Sequence, residues 1–255
     1  MLVTTRFAAI RFGLSLALLA ACREAPAAAS GRVTYTVVTP AAPCAGCTLA
    51  APSERSGDLA LLVTFHGDRE HATSSPATKW RDAAIARGFV VLGLECPVSL
   101  GCVDGRWYIA NPSPSWVAEQ IDAVARELPI DRSRVYLAGW SGGASYLGMN
   151  APAWDGKAAA VVFHGGGQPP LASDLCPVGQ LPAYFLVGDE NPAHGATKRL
   201  RTYLDRCKQE LAWELLPGAG HHDEAQALDR AKADQIISWL ESHAHAPGHD
   251  LVAGS

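Results

Sequence analysis

The sequence predicts an α/β domain with a mainly parallel central sheet and helices on both faces. Three observations predict it. Short β-branched or continuous apolar runs alternate along the chain with segments of helical apolar spacing, the pattern of repeated βαβ units. Several runs, such as Leu59 to Phe65 (LALLVTF) and Ala158 to Phe163 (AAAVVF), have no polar face, as strands covered on both sides require. A glycine-flanked serine, Gly139-Trp140-Ser141-Gly142-Gly143, lies between one such run and a helical segment.

Each element has its own signal. Arg32 to Val38 alternates and is β-branched, a first strand. Leu59 to Phe65 is a buried strand running into His66-Gly67. Lys79 to Arg87 reads as a helix stopped by Gly88, a natural C-cap, and Phe89 to Leu94 as the next strand. Pro114 opens a helix, with Val117, Ile121, Val124 and Leu128 at helical spacing behind it. Val135 to Ala138 is a strand, and Gly142 onward a helix. Ala158 to Phe163, Ala183 to Val187 and Leu211 to Leu216 complete the strands, with a helix over Thr197 to Lys208. Ala225 to Ser242 is expected to be one amphipathic helix, and residues 243–255 a disordered tail with solvated histidines.

Composition excludes other classes. Of 255 residues, 18% are charged and 48% hydrophobic, too apolar for a disordered polymer. No stretch beyond the N-terminus approaches about 18 consecutive apolar residues, which rules out a polytopic membrane protein. The formal charge of -4 and the lack of clustered Lys/Arg argue against nucleic acid as a partner.

The N-terminus reads as an address. Arg6 and Arg11 flank a short apolar run ending in Leu19-Ala20-Ala21-Cys22, the form of a secretory signal. The last four residues resemble a bacterial lipobox, which implies cleavage before Cys22, a lipid on its sulfur and attachment to the cell envelope; an ordinary signal peptide is the alternative. The expected organisation is a signal over 1–21, a flexible tether over 22–31 and one domain over 32–242. Export leaves six cysteines in an oxidising compartment. Proximity favours the disulfides Cys44–Cys47 and Cys96–Cys102, which leaves Cys176–Cys207. Cys44-Ala45-Gly46-Cys47 could also be a redox pair or half a zinc site, but no second such pair and no matching histidine spacing accompanies it. No metal is expected.

The chemical signal centres on Ser141. A G-x-S-x-G turn from strand to helix exposes the serine hydroxyl at the carboxyl edge of the sheet, and the Gly142 N–H at the helix start faces a developing oxyanion. A serine needs a base, and the base an orienting acid. His221, after the strand Leu211 to Leu216 and Gly220, is the expected base, with His222 the alternative. Asp68, following Phe65-His66-Gly67, is expected to supply the second oxyanion N–H. His164-Gly165-Gly166-Gly167 follows the nucleophile and reads as a strand-end loop.

At these residues the chain resembles the α/β-hydrolase superfamily, and more narrowly the exported bacterial esterases related to polyhydroxybutyrate depolymerases and feruloyl esterases. The resemblance spans about Val33 to Leu240. It implies the α/β-hydrolase fold, acylation of Ser141, and hydrolysis of an ester substrate, small or polymeric, by water without a cofactor. It also implies an acid in the loop after Ala183 to Val187. The usual position, three residues past Gly188, is Asn191 here; Asp189 is the expected acid, with Glu190 and Asp174 as alternatives and Asn191 itself a further one. Only 165–182 separate two strands where caps are inserted, so no large cap is expected, and Trp107, Tyr108 and Trp140 are expected to edge an open site. Two other readings stand beside the esterase. One is a serine peptidase similar to the prolyl-oligopeptidase group, and the other a non-catalytic envelope lipoprotein that kept the fold.

Overall fold

A computed structural model describes residues 37–245 except 55, 77, 173 and 174. The signal segment, Cys22, the tether and Asp174 lie outside the described residues. The elements in chain order are β1 (Val37–Val38), β2 (Thr48–Pro52), β3 (Leu59–Phe65), α1 (Lys79–Ile85), β4 (Val90–Leu94), α2 (Trp107–Ala110), α3 (Pro114–Glu127) and β5 (Ile130–Trp140). They continue as α4 (Gly142–Met149), β6 (Ala160–His164), β7 (Ala183–Gly188), α5 (His194–Arg206), β8 (Leu211–Leu216), α6 (His221–Ala227) and α7 (Arg230–Glu241).

Among the described residues the strands form one eight-stranded sheet in the order β1-β2-β4-β3-β5-β6-β7-β8. β1 and β2 pair antiparallel, as do β2 and β4; every pairing from β4 to β8 is parallel. The sheet separates two apolar layers, which is why its strands carry no polar face. Leu61, Val63 and Phe65 point into one layer with Val117, Ile121, Leu147 and Leu200 of α3, α4 and α5. Leu62 points into the other with Trp80, Ile85, Ile236 and Leu240 of α1 and α7. Consecutive residues of a strand face opposite sides, so both faces of β3 must be apolar. The parallel strands end at one edge, and the loops that follow β3, β5, β6, β7 and β8 rise from it, where open parallel sheets bind ligands.

The expected single C-terminal helix is two. Leu228 leaves helical geometry at ψ 74°, and the Asp229 carboxylate accepts from Lys232 N at 2.8 Å, an N-cap that starts α7 afresh. β2 was not foreseen, since Thr48-Leu49-Ala50-Ala51-Pro52 has little β-branched character. His243, expected in a tail, packs on Trp239 with ring centroids 4.1 Å apart and reaches Glu210 Oε1 at 3.0 Å. The cysteines pair as Cys44–Cys47, Cys96–Cys102 and Cys176–Cys207. The second closes the loop after β4 and the third ties the loop after β6 to the end of α5. No described helix is long and apolar enough to cross a membrane.

Candidate active site

Ser141 occupies the turn between β5 and α4 at φ 52°, ψ -110°, a backbone conformation that costs an L residue of order 1–3 kcal/mol and persists only where its surroundings enforce it. Here they do. The Ser141 N–H donates to His164 O at 2.9 Å. A Cβ on Gly143 would meet Phe65 O at 2.6 Å and His66 O at 2.7 Å, so only glycine lets α4 start this close to β3. A Cβ on Gly142 would lie 2.0 Å from Asp68 Oδ1 and 3.4 Å from Asp68 N. The backbones of the two expected oxyanion donors are therefore neighbours.

His221 is the first residue of α6, and its Nε2 lies 2.9 Å from Ser141 Oγ. The imidazole stacks on Trp140 with centroids 4.4 Å apart and planes 5° from parallel. Trp140 is itself held by donating its indole N–H to Glu70 Oε1 at 3.1 Å. His222 is exposed on the wall of the same cavity.

The carboxylate that meets the His221 imidazole is Glu224. Its Oε2 lies 2.9 Å from His221 Nδ1, and its side chain is wholly buried. Oε1 accepts from Gly188 N at 2.6 Å, and Oε2 also accepts from Asn191 Nδ2 at 2.5 Å. Asn191 Nδ2 in addition donates to Gly165 O at 3.0 Å. Its two hydrogens are thus directed to Gly165 and Glu224, so its 3.1 Å approach to His221 Nδ1 is a contact between neighbours on one carboxylate. This network assigns the hydrogen of the ring to Nδ1, donated to Glu224, and leaves the Nε2 lone pair facing the Ser141 hydroxyl.

Asp189, expected on the base, is exposed and accepts from Gly218 N at 2.7 Å. The turn at Gly188 aims its side chain at the loop after β8 and brings Asn191 inward instead. Glu190 is exposed, its N–H bonded to Ala219 O at 3.1 Å. A carboxylate three residues past a histidine shares one face of a helix with it; His221-His222-Asp223-Glu224 carries that signal in the sequence.

Two other histidines complete the frame in neutral form. His66 is buried, its Nδ1 donating to Gly67 O at 2.8 Å and its Nε2 accepting from Cys96 N at 3.2 Å. Burial holds its pKa below the ordinary value. His164 donates from Nε2 to Glu224 O at 2.7 Å, and burial pushes its pKa down to about 3. His194 bonds Gly188 O at 2.9 Å, away from the serine. Of the three aromatics expected at the rim, Trp107 is instead a core residue against Phe65 and Tyr146, whereas Trp140 lines the cavity beside the imidazole on which it stacks. Tyr108 does face the cavity, and burial together with the Asp68 carboxylate raises its pKa. That cavity, of about 810 Å³, also exposes Asp68, Arg69, Arg106, Ser141 and His221.

No known protein-family model matches the chain. A stretch of 97 residues, 38% of the chain, is 31% identical to the bifunctional acetylxylan esterase/xylanase XynS20E of Neocallimastix patriciarum and spans 14% of that protein's length. Among solved structures, the S-formylglutathione hydrolase FrmB of Staphylococcus aureus superposes with a TM-score of 0.60 at 16% identity, covering 81% of this chain and 95% of that one. A truncated carbohydrate esterase from gut microbiota gives 0.62 at 12% identity, covering 82% and 97%. With the sheet order and the placement of Ser141, these likenesses establish the α/β-hydrolase fold.

Proposed function

We propose that this protein is a serine hydrolase of carboxylic esters. The observation that carries the reading is the chain of contacts from Ser141 Oγ through His221 to Glu224, with both links at 2.9 Å. In the proposed reaction Ser141 Oγ attacks the ester carbonyl carbon while its proton passes to His221 Nε2. The carbonyl electron pair moves onto oxygen, and the backbone N–H groups of Asp68 and Gly142 stabilise that oxyanion. The tetrahedral centre then reforms the carbonyl, expelling the alkoxide, which takes the proton from His221. Water repeats the sequence on the acyl-enzyme and releases the acid and free Ser141. Glu224 keeps the imidazole in the reactive tautomer and stabilises its cation; the role expected of Asp189 passes to it. The esterase neighbours and the acetylxylan esterase match support the ester as substrate.

The finer features belong to the same proposal. The short segment between β6 and β7 leaves the site open, which suits a bulky or polymeric ester of the polyhydroxybutyrate or feruloyl type. The lipobox-like Cys22 and the three disulfides support an exported, lipid-anchored envelope protein. Loss of metabolic palmitate labelling in Cys22→Ala tests the anchor.

Labelling of folded protein with a fluorophosphonate tests the function. A single adduct on Ser141, lost in Ser141→Ala, is expected; no adduct would leave a non-catalytic lipoprotein. Turnover of p-nitrophenyl butyrate with none of a dipeptide anilide panel separates the esterase from the peptidase.

A further inference from the structure

Two arginines line the cavity of the nucleophile, and neither is ion-paired among the described residues. Arg69 and Arg106 line it beside Ser141 and His221, and among the described residues no carboxylate lies within ion-pair distance of either. The two acids of the same cavity are turned elsewhere. Glu70 accepts from Gly67 N at 3.0 Å and from Trp140 Nε1; Asp68 Oδ1 is buried toward Gly142, and the Asp68 carboxylate accepts from the Tyr108 hydroxyl. Asp68, Glu70 and Arg106 are half-buried and Arg69 is exposed, and both acids are engaged by donors of the protein. The formal charges of these four side chains cancel. What the cavity offers an anion is the placement of two forks, not a net field.

That placement is built. Arg69 stands at φ 60° and Asp104 at φ 55°, conformations that a glycine would adopt without penalty. The Arg69 N–H donates to Asp104 O at 2.8 Å and stitches the turn after β3 to the turn that carries Arg106. Gly105 seals the join, since a Cβ there would approach Glu70 O to 2.8 Å. The second turn is anchored behind by the Cys96–Cys102 disulfide and by buried Trp107. Packing accounts for the turns but not for an arginine at residue 69, whose side chain has no ion-pair partner among the described residues to offset its strained backbone.

We propose that Arg69 and Arg106 select an ester that itself bears a carboxylate. The inference rests on the esterase reading of Ser141 and deepens it: a carboxylate on the acyl or the alcohol portion takes the guanidinium forks while the ester carbonyl meets Ser141. A fork matches a carboxylate in two parallel hydrogen bonds.

The test compares matched esters: para-acetoxybenzoate with its methyl ester for the alcohol portion, and p-nitrophenyl hydrogen adipate with p-nitrophenyl hexanoate for the acyl portion. In at least one pair, the ratio of kcat/KM for the anionic over the neutral ester should fall about tenfold in Arg69→Gln/Arg106→Gln, chiefly through KM. Arg106→Lys should lose only part of it, because charge remains and the fork does not. Ratios unchanged in both pairs overturn the proposal. Calorimetric binding of the same esters to Ser141→Ala, with and without the arginines, measures the same preference independently of turnover. Binding that favours the anionic ester only when the arginines are present supports the proposal even if no ester is hydrolysed, an outcome that would overturn the hydrolase reading alone. Equal binding overturns the proposal.

Discussion

Glu224 lies three residues after His221 on one helix, and its buried carboxylate meets the imidazole Nδ1 at 2.9 Å. Imidazole and carboxylate thus belong to a single helical turn, although the carboxylate is held from outside by Gly188 N and Asn191 Nδ2 of the loop after β7. That loop provides the carboxylate with donors. Burying an ion requires hydrogen bonds to all of its face, and Glu224 receives them from a backbone N–H, a side-chain amide and the imidazole.

Asn191 is predicted to be a positioning residue for Glu224. Asn191→Ala leaves the carboxylate short of one buried donor and should cost about 1–3 kcal/mol of stability, with a lower kcat. More telling is the exchange Asn191→Asp/Glu224→Gln, which moves the charge onto the loop at a position now 3.1 Å from His221 Nδ1. It should recover at least about tenfold of the turnover lost in Glu224→Gln alone. Steady-state kinetics on p-nitrophenyl butyrate checks both; absence of recovery means that the loop cannot orient the ring.

Acid should destabilise the fold through its buried histidines. His164 stays neutral down to about 3, whereas its ordinary value is 6.5. Between those values the unfolded chain takes up a proton that the folded chain does not, so stability is lost as pH falls below 6.5. His66, also lowered by burial, acts in the same direction. For His164 alone the loss from about pH 7 to about pH 5 is on the order of 2 kcal/mol. Urea midpoints at the two pH values should show it, and His164→Gln should reduce the difference.

The disulfides should differ in worth. Cys176–Cys207 spans a sequence separation of 31, for which loop entropy gives about 3–4 kcal/mol, against about 2 kcal/mol for the short Cys44–Cys47 loop. Equilibrium unfolding of the two paired Cys→Ser variants should rank them so. Equal losses would show that chain entropy is not the source.

The parallel strands were legible in the sequence because burial on both faces leaves no choice of residue, and Ser141 because its turn admits only glycine around it. β2 was not, since its pairing with β4 comes from a neighbour and not from its own composition. The break at Leu228–Asp229 was hidden by apolar spacing that continues across it. Glu224 was passed over for a related reason. Three residues behind His221 it reads as a solvated helix position, and only the docking of the Gly188–Asn191 loop makes that position interior.

The role of Glu224 as the triad acid is measured most directly by kcat/KM of Glu224→Gln beside Asp189→Asn on p-nitrophenyl butyrate. Asp189 bonds only a loop N–H at an exposed site, so its variant should stay within about twofold of the parent. Glu224→Gln should fall by about 10⁴, as expected when the imidazole loses the carboxylate that fixes its tautomer. A fall in Asp189→Asn with Glu224→Gln within about tenfold of the parent would contradict that role and return it to the loop after β7.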